Sequence, residues 1–160
     1  MAATTGYRPA TQAQDLTDFR LLIELPAVRR LADRGLSDQE LALVQKVADA
    51  TTRAARSRDV PGYLRADMVF HLCLLELIRD PVLSEVARFL LTPDRTCTAE
   101  VSDCLMAREA REHSELVGLL ADGMVSPADH LLRLHLSRLS ANRSASARLT
   151  EPESISAAGA

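Results

Sequence analysis

Aromatic residues are nearly missing from this chain: among 160 residues there are two Tyr, three Phe and no Trp. Alternating β-branched runs are missing too, and no Asn-Gly or Asp-Gly turn sits between such runs, which excludes a sheet-based fold. No apolar stretch approaches the roughly 20 residues needed to span a bilayer, and the N-terminus lacks a signal-peptide core. A soluble, cytoplasmic chain with no membrane partner is expected. Excess positive charge is absent as well: the net charge is −3 and the isoelectric point near 5.8, which argues against a nucleic-acid-binding surface. Cysteine is scarce. Cys73, Cys97 and Cys104 are odd in number and carry no CxxC or Cys-His pattern, so they read as reduced thiols, Cys73 serving as a small apolar residue.

What is present is aliphatic and helical. Hydrophobic residues make up 47% of the chain, with Leu, Ala and Arg abundant, as suits one all-α domain with a moderate core. Residues 1–14 read as a polar, flexible leader. Asp15 to Arg34 is expected to be helical with a break at Pro26, and Gly35 ends it. Ser37-Asp38-Gln39-Glu40 is a capping box opening a helix to about Arg58. Asp59-Val60-Pro61 starts a helix that stops at Asp80, and Pro81 starts a short one to about Leu91, with Pro93 as its breaker. A long helix is expected from Asp94 to Ala121, closed by Gly123. The last helix is read as capped at Ser126-Pro127 and ending near Ala141, with a disordered tail over 142–160. The domain proper is thus 15–141, an antiparallel bundle of six to seven helices enclosing a metal or ligand cavity.

Polar residues on inward helix faces carry the chemistry. In Val60 to Arg79 the other charged residues, Arg65, Glu76 and Arg79, share one narrow strip. Asp67 and His71 lie roughly 160° and 120° from that strip, one turn apart on the inner side. Around His113, the residues Met106, Ala110, Leu116, Val117 and Leu120 fall within about 60°, while Arg108, Arg111, Glu115 and Asp122 lie opposite. Ala128, Leu131, Leu132 and Leu139 flank His135, whereas His130 falls about 140° away on the wet face. A buried polar group needs a partner, and three imidazoles with a carboxylate form a divalent-metal ligand set: Asp67, His71, His113 and His135. The competing structural reading is a buried salt bridge between Asp67 and a protonated histidine.

Two further residues stand out. Arg20 lies on the apolar face of the first helix with Leu16, Ile23, Ala27 and Leu31. Its planar fork fits a carboxylate, while an ion pair with Glu24, about 40° away, would serve it equally. Glu109, about 40° from His113, is the candidate for a hidden general base.

The stretches "DFRLLIELPAVRRLA", "RADMVFH", "LIRDPVL", "REHSELV" and "LLRLHLSRL", in that order, resemble the C-terminal effector-binding domain (FCD type) of FadR-subfamily GntR transcriptional regulators over Asp15 to Leu139. The chain departs from the usual pattern at Asp80, where the family commonly has Asn. The resemblance implies a helical bundle around one divalent metal held by Asp67, His71, His113 and His135, a small organic acid effector, and a homodimer. Zinc leads the candidate ions, with nickel or manganese next. An octahedral shell would leave two positions for water or a carboxylate, a tetrahedral one none. Such regulators carry a winged helix-turn-helix head, for which residues 1–14 have no room. The chain is therefore read as truncated or free-standing, and DNA would be reached only through a winged-helix domain absent from it.

The function expected is a metal-dependent, small-carboxylate-sensing, dimerising domain rather than an enzyme, with Arg20 as effector anchor. The alternatives are a hydrolase-like metalloenzyme using Glu109, and an interaction bundle with a purely structural metal. Paired Glu-x-x-His motifs are missing, so a di-iron carboxylate bundle is excluded.

Overall fold

The computed structural model describes residues 9–91 and 101–149, with side chains over 16–91 and 101–138. Among these residues the chain forms six α-helices and no strand: α1 Pro9–Arg34, α2 Asp38–Arg56, α3 Val60–Glu76, α4 Pro81–Leu90, α5 Asp103–Ala121 and α6 Val125–Leu149. Helix α1 packs mainly along α6, α2 packs against α3 and α5, and the short α4 rests on α3.

Local chemistry sets the ends. Ser37 and Glu40 close the expected capping box on α2. Asp59 accepts from the Gly62 N–H at the start of α3, and Asp80 accepts from Val82 and Leu83 at the start of α4. Past α5, the Met124 N–H reaches the Leu119 carbonyl and the Gly123 N–H the Leu120 carbonyl, with Gly123 at φ 66°. This is a Schellman closure, and it turns the chain straight into α6.

Several boundaries differ from expectation. Helix α1 runs unbroken through Pro26, because that residue lies on the exposed side, where the carbonyl it frees faces solvent. It also starts at Pro9, inside the segment read as leader, since proline suits a first turn and Ala and Gln follow it. Helix α3 stops at Glu76 rather than Asp80, because Arg79 takes a left-handed φ of 61° and Asp80 is committed to capping α4. The long helix begins at Asp103, not Asp94, because the Ser102 side chain accepts from Leu105 N–H as an N-cap. Residues 94–100, with Cys97, lie outside the described residues. Helix α6 opens at Val125 and runs past Ala141 to Leu149, through a stretch free of Gly and Pro and rich in Ala and Arg. Of the tail over 142–160, residues 150–160 lie outside the described residues, as does the side chain of Leu139.

The interior is layered. Leu25, Val28, Leu31, Val44, Phe70, Leu74, Leu116, Leu120, Leu132 and Leu136 belong to the main core, drawn from five helices. Ala55, Tyr63, Met106 and Ala110 form a smaller apolar group. Along α3 and α5, Asp67 and His113 fall between these two groups, and His71 sits edge-on against Phe70 of the main core.

Candidate metal centre

Helix α3 presents Asp67 and His71 one turn apart, α5 presents His113 and α6 presents His135, all buried. Their inner atoms meet. His135 Nε2 stands 3.3 Å from both His113 Nε2 and His71 Nε2. Asp67 Oδ1 stands 3.4 Å from His113 Nε2 and 3.7 Å from His71 Nε2. No two of the four donor atoms are more than 4.8 Å apart. Ligands about 2.0–2.2 Å from a zinc ion sit roughly 3.3–3.6 Å from one another in a tetrahedral shell, so the cluster could hold a metal ion. His130 is exposed and takes no part.

The outer nitrogens decide where the protons are. His71 Nδ1 lies 2.6 Å from Glu24 Oε2 and His135 Nδ1 lies 2.9 Å from Glu112 Oε2. Each ring N–H donates to its carboxylate. His113 Nδ1 lies 3.3 Å from Thr51 Oγ1, whose hydroxyl hydrogen is already given to the Ala48 carbonyl at 2.7 Å. The hydroxyl therefore accepts, and His113 also carries its proton on Nδ1. In their neutral forms all three rings aim bare Nε2 lone pairs at one another and at the Asp67 carboxylate. Asp67 Oδ1 has no hydrogen-bond partner although it is buried. Converging lone pairs without a proton between them repel, and a cation at their centre removes the conflict.

Electrostatics follow the same lines. Burial disfavours charge on His113 and His135 and pushes both pKa values down; His135 adds to the shift at His113. Burial is also the largest single influence on His71, but the Glu24 and Asp67 carboxylates on its two sides together outweigh it and raise the pKa. Burial opposes ionisation of Glu24 too, yet Arg20 and His71 hold its carboxyl at about 2. Against burial, the facing histidines and Arg20 keep Asp67 well below the ordinary carboxylate range.

Arg20 makes the expected ion pair with Glu24. Its Nε donates to Glu24 Oε1 at 2.6 Å, as an i,i+4 pair, while its Nη2 is buried without a partner. Glu109 accepts from the Tyr63 hydroxyl at 3.1 Å through Oε2, and burial with the nearby Asp67 charge pushes its carboxyl up to about 7. Glu24, Thr51 and Glu112 were not singled out as partners of the rings. Glu24 carried a signal, being one turn from Arg20 on the same inward face, whereas Glu112 and Thr51 carried none. Glu112 also pairs with Arg138, and Phe70 stacks on the His113 ring with centroids 4.1 Å apart.

The comparisons with known proteins agree with this architecture. No curated protein matches the sequence. The metal-free FCD domain of TM0439, a candidate transcriptional regulator, has a similar structure: TM-score 0.73, 15% identity, covering 90% of this chain and 99% of that one. E. coli McbR/YncC is similar too, with TM-score 0.70 and 19% identity, over 81% of this chain and 63% of that one. The FCD domain family matches residues 15–138, most of the sequence and all four converging donors, and the chain belongs to that family.

Proposed function

We propose that this chain is a metal-dependent, small-carboxylate-sensing domain of a GntR/FadR-type transcriptional regulator, working in the cytoplasm as a homodimer. The observation that carries the reading is that three Nε2 atoms and an unpartnered Asp67 oxygen face one point, while each ring's Nδ1 faces an acceptor of its own. Asp67, His71, His113 and His135 would hold one divalent ion, zinc before nickel or manganese. Once bound, such an ion supplies a fixed positive charge that attracts a carboxylate. Arg20 supplies the second anchor. Its Nη2 is buried and unpartnered, and a guanidinium fork binds a carboxylate more tightly than a neutral group.

An effector switches a protein only by binding one arrangement better than another. Here the anchors sit on different helices, Arg20 on α1 and the ion ligands on α3, α5 and α6, so an acid spanning them favours one placement of α1 against the rest. Reading of an operator is assigned to a separate winged-helix domain. The membership in the FCD family and the likeness to TM0439 support a regulatory role.

A second reading has one observation in its favour. Four of the six donor separations, at 3.3–3.7 Å, lie near tetrahedral edges and the other two are no longer than 4.8 Å, a spacing that a closed, purely structural ion could draw in.

Elemental analysis of purified wild type beside His113→Ala and His135→Ala tests the site. About one metal per chain, lost in both variants, is expected. Wild-type protein that stays metal-free after exposure to zinc, nickel and manganese overturns the proposal. Thermal-shift screening of small acids on the metal-loaded protein then separates the two readings, since a closed structural ion predicts no response.

A further inference from the structure

Tyr63 stands one turn before Asp67 on α3, and Glu109 stands one turn before His113 on α5. The Tyr63–Glu109 hydrogen bond therefore forms a second polar layer across the same two helices, one turn from the donor cluster. Tyr63 occupies only Oε2. Glu109 Oε1 is buried and has no partner, as do Arg20 Nη2 and Asp67 Oδ1. The charges of Asp67 and Glu109 both bear on Arg20, and that of Asp67 bears on Glu109. Three helices thus bring unmet polar atoms within electrostatic reach of one another. Buried polar atoms without partners are destabilising, so a cluster of them marks where something else binds.

Under the proposed function Asp67 Oδ1 is met by the ion and Arg20 Nη2 by the carboxylate. Neither meets Glu109 Oε1. We propose that Glu109, held in place by Tyr63, selects the effector, and that the effector is a small hydroxylated acid whose carboxylate takes Arg20 and whose hydroxyl takes Glu109 Oε1. The inference rests on the effector reading above. A hydroxyl both donates and accepts, so it satisfies Oε1 whether or not Glu109 carries a proton. A second carboxylate would be repelled by an ionised Glu109, and a methyl group would leave Oε1 unmet. Sites built to hydrogen-bond a hydroxyl discriminate strongly against analogues lacking it.

The test is calorimetric titration of zinc-loaded protein with lactate against propionate and glycolate against acetate. It is run on the wild type and on a Tyr63→Phe, Glu109→Leu double variant, which removes both partners and leaves no orphaned hydroxyl. Each hydroxy acid is expected to bind the wild type at least about tenfold more tightly than its deoxy analogue, the advantage shrinking below roughly threefold in the double variant. An undiminished advantage in a folded double variant overturns the proposal, because chelation by zinc alone would then select the hydroxyl. No advantage in the wild type overturns it too, with a trapped water satisfying Oε1. If the deoxy acids bind, the effector reading survives that failure; if no acid binds at all, both fail. Where the double variant does not fold, Tyr63→Phe with Glu109→Met, closer in shape and equally without a hydrogen-bonding group, replaces it under the same criterion.

Discussion

His71, His113 and His135 each keep a proton on Nδ1, but through different partners: Glu24, a hydroxyl whose own hydrogen is engaged, and Glu112. A carboxylate on the outer nitrogen orients the ring and raises the basicity of the inner one, and losing such a partner weakens metal binding about 10–100-fold. Glu112→Gln keeps the acceptor and removes the charge, so zinc affinity is expected to fall roughly tenfold, at the mild end of that range, with the helical content unchanged. Competition titration against a chromophoric chelator measures it, and unchanged affinity would make Glu112 a mere partner of Arg138. At this scale the sequence was informative about direction and about the Arg20–Glu24 pair, and silent about the partners of the rings. Helical angles brought Asp67, His71, His113 and His135 to one interior. They could not pair His113 with Thr51, because that contact crosses from α5 to α2 and depends on how the helices are placed.

Helices begin and end where short-range chemistry is strong, and those ends were the readable ones. The capping box at Ser37 and the closure at Gly123 depend on neighbouring residues only. Arg58 and Arg79 also take positive φ, at 55° and 61°, yet arginine gives no hint of it. Pro26 misled for the opposite reason: proline breaks a helix less surely when its face is wet. Gly123 offers a clean probe of the α5–α6 corner. A Cβ there would stand 3.5 Å from the Ala32 carbonyl, an ordinary contact, so Gly123→Ala isolates the cost of the left-handed backbone. A loss of about 1–2 kcal/mol is expected in urea unfolding. A variant as stable as the wild type would mean that the corner relaxes to another turn.

Across the whole molecule, the candidate centre gathers five of the six described helices. Its donors come from α3, α5 and α6, and the ring partners add α1 through Glu24 and α2 through Thr51. A bound ion therefore acts as a cross-link between elements far apart in sequence. With free zinc at about 1,000 times its Kd, the folded state gains roughly 4 kcal/mol. At about 2–4 °C per kcal/mol for a domain of this size, chelation should lower the melting temperature by roughly ten degrees. Differential scanning calorimetry with and without chelator reads this directly. An unchanged transition would mean that the interior is complete without an ion, with a protonated His71 between Glu24 and Asp67 as the alternative arrangement. The all-α architecture was legible from composition and periodicity alone, whereas the gathering of helices around one point was legible only through the three inward histidines.

Glu24 gives one oxygen to Arg20 and the other to His71. Under the proposed function, a shared carboxylate closes two binding events into one thermodynamic cycle. An acid that draws on Arg20 changes how much negative charge remains for the Nδ1 side of His71, and so the donor strength of the nitrogen facing the ion. Reciprocity then follows without further assumption: the factor by which the acid alters ion affinity is the factor by which the ion alters acid affinity. A domain wired in this way reports the coincidence of metal and metabolite, rather than the level of either one.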